Sequence, residues 1–161
     1  GHLQQYGLGT AVDLPGAIAS YRRAASGGVR GAMSRLGHLL MERGDHGAQT
    51  QAKYWLAQAA KGGSADAAND YAWFLATTPT PHLRNGPLAV THALQAVAED
   101  PNASYLDTLA AAYAEAGQFA EAVRTQQQAL ASAGTPVPSE LQAHLTAYQQ
   151  GRAWREPAPE R

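Results

Sequence analysis

A chain of 161 residues, 45% of them hydrophobic, is long enough to bury a core as a single globular unit. Its 12 basic and 13 acidic residues leave a formal charge of -1, which gives no electrostatic footprint for nucleic acid or an anionic membrane surface. The absence of cysteine excludes disulfides, thiolate nucleophiles and cysteine-held zinc, and no apolar run approaches the about 18 residues of a membrane span.

The chain opens Gly1-His2 without an initiator Met, and residues 1–2 resemble a tag remnant, so a native leader, anchor or further repeats can lie beyond it. GLGT at residues 7–10 lacks a preceding strand and the further glycines of a phosphate cradle, and reads as a turn. Thirty-five alanines and the lack of β-branched runs with period two predict an all-α chain. Clusters of Gly and Pro, at Gly27-Gly28, Gly44 to Gly47, Gly62-Gly63, Pro79 to Pro87, Pro101, Gly117 and Gly134 to Pro138, punctuate it at helix-length intervals. Helices are predicted over 14–26, 31–43, 47–62, 65–77, 86–99, 103–116, 119–133 and 139–150. Asp13, Asp45, Asn85, Asn102 and Ser139 stand where a side-chain oxygen can accept from an orphan N–H, and Pro15 and Pro87 suit the first turn.

Sliding the chain along itself exposes a repeat. An offset of 35 residues aligns Ala17 with Ala52, Ala24-Ala25 with Ala59-Ala60, Gly27-Gly28 with Gly62-Gly63, Ala32 with Ala67, Leu39 with Phe74 and Leu40 with Leu75. Ala52, Ala89 and Ala122 continue the series at spacings of 37 and 33 residues, which fits two short helices and two turns per unit.

AIASYRRAASGG (residues 17–28), AKYWLAQAAKGG (52–63) and RLGHLL (35–40) resemble Sel1-like repeats. YLDTLAAAYAEAGQFAEAV (105–123) is similar to a tetratricopeptide repeat, with Leu106, Leu109, Ala110, Tyr113, Ala122 and Ala129 on the signature positions. WFLATTPTPHLRNGPLAV (73–90) resembles a longer-turn version of the same unit. The resemblance implies a right-handed α-solenoid of antiparallel helix pairs over residues 7–133, Sel1-like first and tetratricopeptide-like after. Two departures stand out: the closing Pro falls late, at Pro136, and Gln126 takes the place of a large apolar residue. ELQAHLTAYQQ then puts Leu141, Leu145 and Tyr148 on one face, as a terminal capping helix would (134–150), and GRAWREPAPER is expected to fray as a flexible tail (151–161), with Trp154 able to fold back.

In such solenoids the first helix of each unit lines a concave wall. By that resemblance the wall presents Ser34, Arg35, His38, Met41 and Glu42, then Asp66, Asn69, Asp70 and Trp73, then Ser104, Asp107, Thr108, Ala111 and Glu115. From these, Arg35, His38, Asn69, Trp73, Asp107 and Thr108 are selected as partner-binding residues, although Trp73 equally suits a core position beside the long turn. The carboxylates make the expected groove mildly acidic, and Asp107 and Ala111 stand where carboxylate-clamp domains carry cationic or amide side chains. TPTPHLRNG (78–86) reads as a rigid turn, its alternative being a recognition loop with Arg84 as the charged contact.

No catalytic constellation accompanies these features. The histidines at 2, 38, 46, 82, 92 and 144 are scattered, His38 and Glu42 reading as a solvated pair one turn apart, and no nucleophile elbow occurs. The expected function is therefore a non-catalytic adaptor without cofactor or metal that binds a protein or peptide partner, not nucleic acid, and does not insert into a membrane. The alternatives are a structural spacer, a homo-oligomerising module or a regulatory domain of a larger protein. The Sel1-like resemblance leans towards a bacterial envelope, with the cytoplasm as the alternative.

Overall fold

The computed structural model describes residues 13–158, so the readings of Gly1-His2 and of GLGT at residues 7–10 lie outside the described residues. The described chain is all-α. Its helices are α1 Leu14–Ser26, α2 Arg30–Arg43, α3 His46–Ala60, α4 Ala65–Thr77, α5 Gly86–Glu99, α6 Ala103–Glu115, α7 Phe119–Ser132 and α8 Ser139–Gln149, with a 3-10 turn Pro81–Leu83 between α4 and α5. Each predicted helix is present, with ends that differ by two residues at most.

The helix starts follow from local hydrogen bonding. Side chains of Asp13, Asp45, Asn85 and Asn102 accept from the N–H groups of Gly16, Ala48, Leu88 and Tyr105, and Pro15 and Pro87 occupy first turns. Ser64, which the sequence did not single out, caps α4 through Ala67 N–H. Ser139 is not a cap: the extended backbone of Pro138 (φ -60°, ψ 128°) precedes the first helical turn, and Ser139 is already inside it.

Two compact units divide the chain at Gly62-Gly63, inside the span expected to form one repeat domain. In the first, α1 packs on α2 and α2 on α3. In the second, α4 packs on α5, α5 on α6, α6 on α7 and α7 on α8, while α4 also lies against α6 and α6 meets α8. Both the capping segment and the tail as far as Ala158 belong to this second unit.

Burial follows the register found in the sequence. Ala17, Ala52, Ala89 and Ala122 are fully buried, as are both members of the aligned pairs Leu39/Phe74 and Leu40/Leu75. The alanines let helices approach closely, and the large residues beside them provide the apolar area, each Leu or Phe giving about 1.5–3 kcal/mol on burial. Gly86 marks a close approach of main chain to main chain. A Cβ there would stand 2.6 Å from the backbone nitrogen of Ala116 and 2.8 Å from the carbonyl carbon of Glu115, so the start of α5 touches the end of α6 main chain to main chain.

Because main chain cannot swing aside as a side chain does, Gly86→Ala is expected to lower the unfolding free energy in urea by about 1–3 kcal/mol. Gly134→Ala, whose added Cβ meets nothing within 4 Å, should stay within about 0.5 kcal/mol of the parent.

Candidate functional site

The site is built around the C-terminal end of α4. A helix leaves its last four carbonyls without intrahelical partners, and here each is answered differently. Phe74 O accepts from Thr78 N–H at 3.1 Å and Leu75 O from Asn85 N–H at 3.0 Å, which folds the 78–86 loop back onto the helix. Arg84 holds that loop from the side, donating to the Thr78 carbonyl at 2.9 Å and pairing with Glu115 of α6 at 3.2 Å. Thr78 and Leu83 are buried, while Pro81, His82 and Asn85 of the same loop stay exposed.

The remaining two carbonyls, those of Ala76 and Thr77, belong to buried residues and are met by the C-terminal tail. Gly151 turns the chain at the end of α8 with φ +67°, a left-handed conformation that favours glycine, and Arg152 N–H closes the turn onto Ala147 O at 3.0 Å. The tail then runs without regular structure across the second unit. Trp154 sets its ring against His144, with centroids 4.4 Å apart. Arg155 donates to Ala76 O at 3.2 Å and pairs with Glu115 at 2.5 Å. Glu156 donates its N–H to Thr77 O at 2.9 Å and accepts from the Trp73 indole at 3.0 Å. Of the tail expected over 151–161, the described part is thus held at Arg155 and Glu156, and Trp154 folds back onto His144.

Beneath it lies a second cluster. Asp107 Oδ1 of α6 accepts from Gln126 Nε2 of α7 at 2.7 Å and from His144 Nδ1 of α8 at 2.8 Å, since a carboxylate oxygen can only accept. Gln126, fully buried, also donates to Leu141 O at 3.0 Å. The polar residue that departs from the repeat pattern therefore ties α8 to α7. Tyr148 stands in the same core with its hydroxyl unpaired among the described residues, and burial, helped by Asp107 and opposed by Arg155, pushes its phenol well up.

No family model, curated protein or solved structure matches this chain. Its chemistry is accordingly read from its own residues.

Of the residues selected from the sequence, Arg35 and His38 lie half-buried on α2 in the first unit, and neither is without a partner. In the second unit Trp73 and Asp107 come together through His144, whose ring centroid is 5.8 Å from that of Trp73. Asn69 is half-buried one turn before Trp73, and its Oδ1 is without a hydrogen-bond partner among the described residues. Thr108 is not on the surface: it is 3% exposed, inside α6. The expected acidic groove is largely paired from within, because Asp66 accepts from the Tyr105 hydroxyl, Asp107 is taken by Gln126 and His144, and Glu115 holds two arginines. His144 and Arg155, which hold this cluster and the tail, were not among the residues selected. For His144 the signal was present, because Leu141, His144, Leu145 and Tyr148 follow the i, i+3, i+4, i+7 spacing of one helix face. Among the described residues no three metal-ligating side chains come together, and no described helix is long and apolar enough to cross a membrane.

Arg155→Ala removes a half-buried ion pair and reopens the Ala76 carbonyl, and should cost about 1–3 kcal/mol in thermal or urea unfolding. Arg152→Ala, at an exposed position of the same tail, should change stability by less than about 0.5 kcal/mol.

Proposed function

We propose that this chain is a non-catalytic adaptor of Sel1-like and tetratricopeptide type, a right-handed α-solenoid that binds an extended segment of a protein partner along the face carrying α4, α6 and α8. The observation that carries this reading is the tail itself. A stretch of polypeptide without regular structure rests there through two main-chain carbonyls, an indole N–H and a carboxylate. These are the groups by which a helical surface can hold a peptide without adding a strand or a helix.

The physical argument is one of preorganisation. Glu115 is fixed by Arg84, Trp73 by its packing near His144, and the carbonyls of Ala76 and Thr77 by the helix that bears them. A face already rigid before a partner arrives loses little conformational entropy on binding, so few contacts suffice.

Selection of random peptides displayed on phage against the intact chain tests the reading. Enriched peptides are expected to lose binding to a Trp73→Ala variant that retains its helical circular dichroism. No enrichment, or enriched peptides that bind the folded Trp73 variant equally well, would contradict a peptide-binding function for this face.

A further inference from the structure

We infer that the face formed by α4, α6 and α8 recognises an extended peptide carrying an aromatic residue, an arginine and a hydrogen-bonded acidic residue in succession, with Trp154-Arg155-Glu156 as a tethered copy that a partner must displace. The inference rests on the peptide-binding reading above and specifies its ligand.

Three consecutive residues each have a separate counterpart. The aromatic ring lies against His144, the guanidinium is shared between Glu115 and Ala76 O, and the acidic residue gives its N–H to Thr77 O while taking the Trp73 indole proton on its carboxylate. A change at any one position leaves a specific group unanswered, which is how a surface reads sequence and not merely extended shape. The arginine position is read twice, by the charge of Glu115 and by the negative end of the α4 dipole.

The face also resists standing empty. Ala76 and Thr77 are buried, and without the tail their carbonyls would have no described partner, a cost that any occupant with an N–H and a cation at the same places removes. The tail is suited to being that occupant and to leaving. It follows α8 through the single turn at Gly151 and contributes no helix to the unit, so its release unfolds no helix of the described chain. It also fills its surroundings only in part: an open hollow of about 460 Å³ remains between Trp154 and the α8 residues Ala143, Thr146 and Ala147. A tethered ligand competes at high effective concentration, so an outside peptide binds the intact chain with its affinity reduced by the fraction of faces left free.

The test uses a fluorescent peptide of residues 152–158, RAWREPA, titrated by anisotropy into the full chain and into its Trp154→Ala/Arg155→Ala variant. The variant is expected to bind one peptide at least about tenfold more tightly than the parent, and a peptide with Glu at the Arg155 position should not bind. A variant with intact helical signal that fails to bind RAWREPA, or that binds it no better than the parent does, would overturn the inference. Should the variant not fold, the parent serves: excess peptide should move the Glu156 amide resonance to its unstructured position, and an unmoved resonance would count against displacement. Failure of this peptide while displayed peptides are still enriched on Trp73 would refute the ligand assignment alone, whereas failure of both would refute the binding function itself.

Discussion

Short helices can be stacked only where their main chains come close, and close approach demands small side chains at the contact. Ala17, Ala52, Ala89 and Ala122 meet that demand on α1, α3, α5 and α7, each fully buried. Gly86 meets it where α5 begins against the end of α6 with no room for a single carbon. The remainder of the second unit depends on this closeness. It is the junction of α5 with α6 that places Glu115, the last residue of α6, beside the loop leaving α4, where Arg84 can reach it.

Glu115 then becomes the point at which fold and proposed function meet. Its side chain is 15% exposed, so its charge is poorly hydrated and gains from having partners on two sides. Arg84 supplies one from the neighbouring loop, and Arg155 supplies the other from the tail. The first contact ties the loop to α6, and the second ties the tail to it. Asp107 plays a parallel role, where Gln126 and His144 converge and His144 has ring contacts with both Trp73 and Trp154. Carboxylates expected to face a partner are thus spent largely on arranging the surface that a partner would meet.

Features governed by neighbours in sequence were legible from the sequence. Helix spans, four side-chain caps and the inward face of α8 all follow from residues within a few positions of one another, and the alanines that the 35-residue offset aligns are buried except Ala24. Ser139 was misplaced by one residue because Pro138 can itself precede the helix. What sequence reasoning missed spans long separations. The bonds from the tail to Ala76 and Trp73 join residues 79 and 83 positions apart, and nothing local in GRAWREPAPER distinguishes a docked tail from a frayed one. Thr108 was placed on the wall by family spacing, yet it turns into α6 and is buried. Gln126 was noticed as an exception, and its reason lay in Asp107, 19 residues away, and in the main chain of α8.

The central claim is that the tail occupies the face of α4, α6 and α8 in the isolated chain. Amide hydrogen exchange at Glu156, whose N–H is bonded to Thr77 O, tests this most directly. Exchange slowed relative to an unstructured peptide of the same sequence, and restored to that rate by Arg155→Ala, is the predicted result. Exchange of the Glu156 amide at the unstructured rate in the parent chain would contradict it.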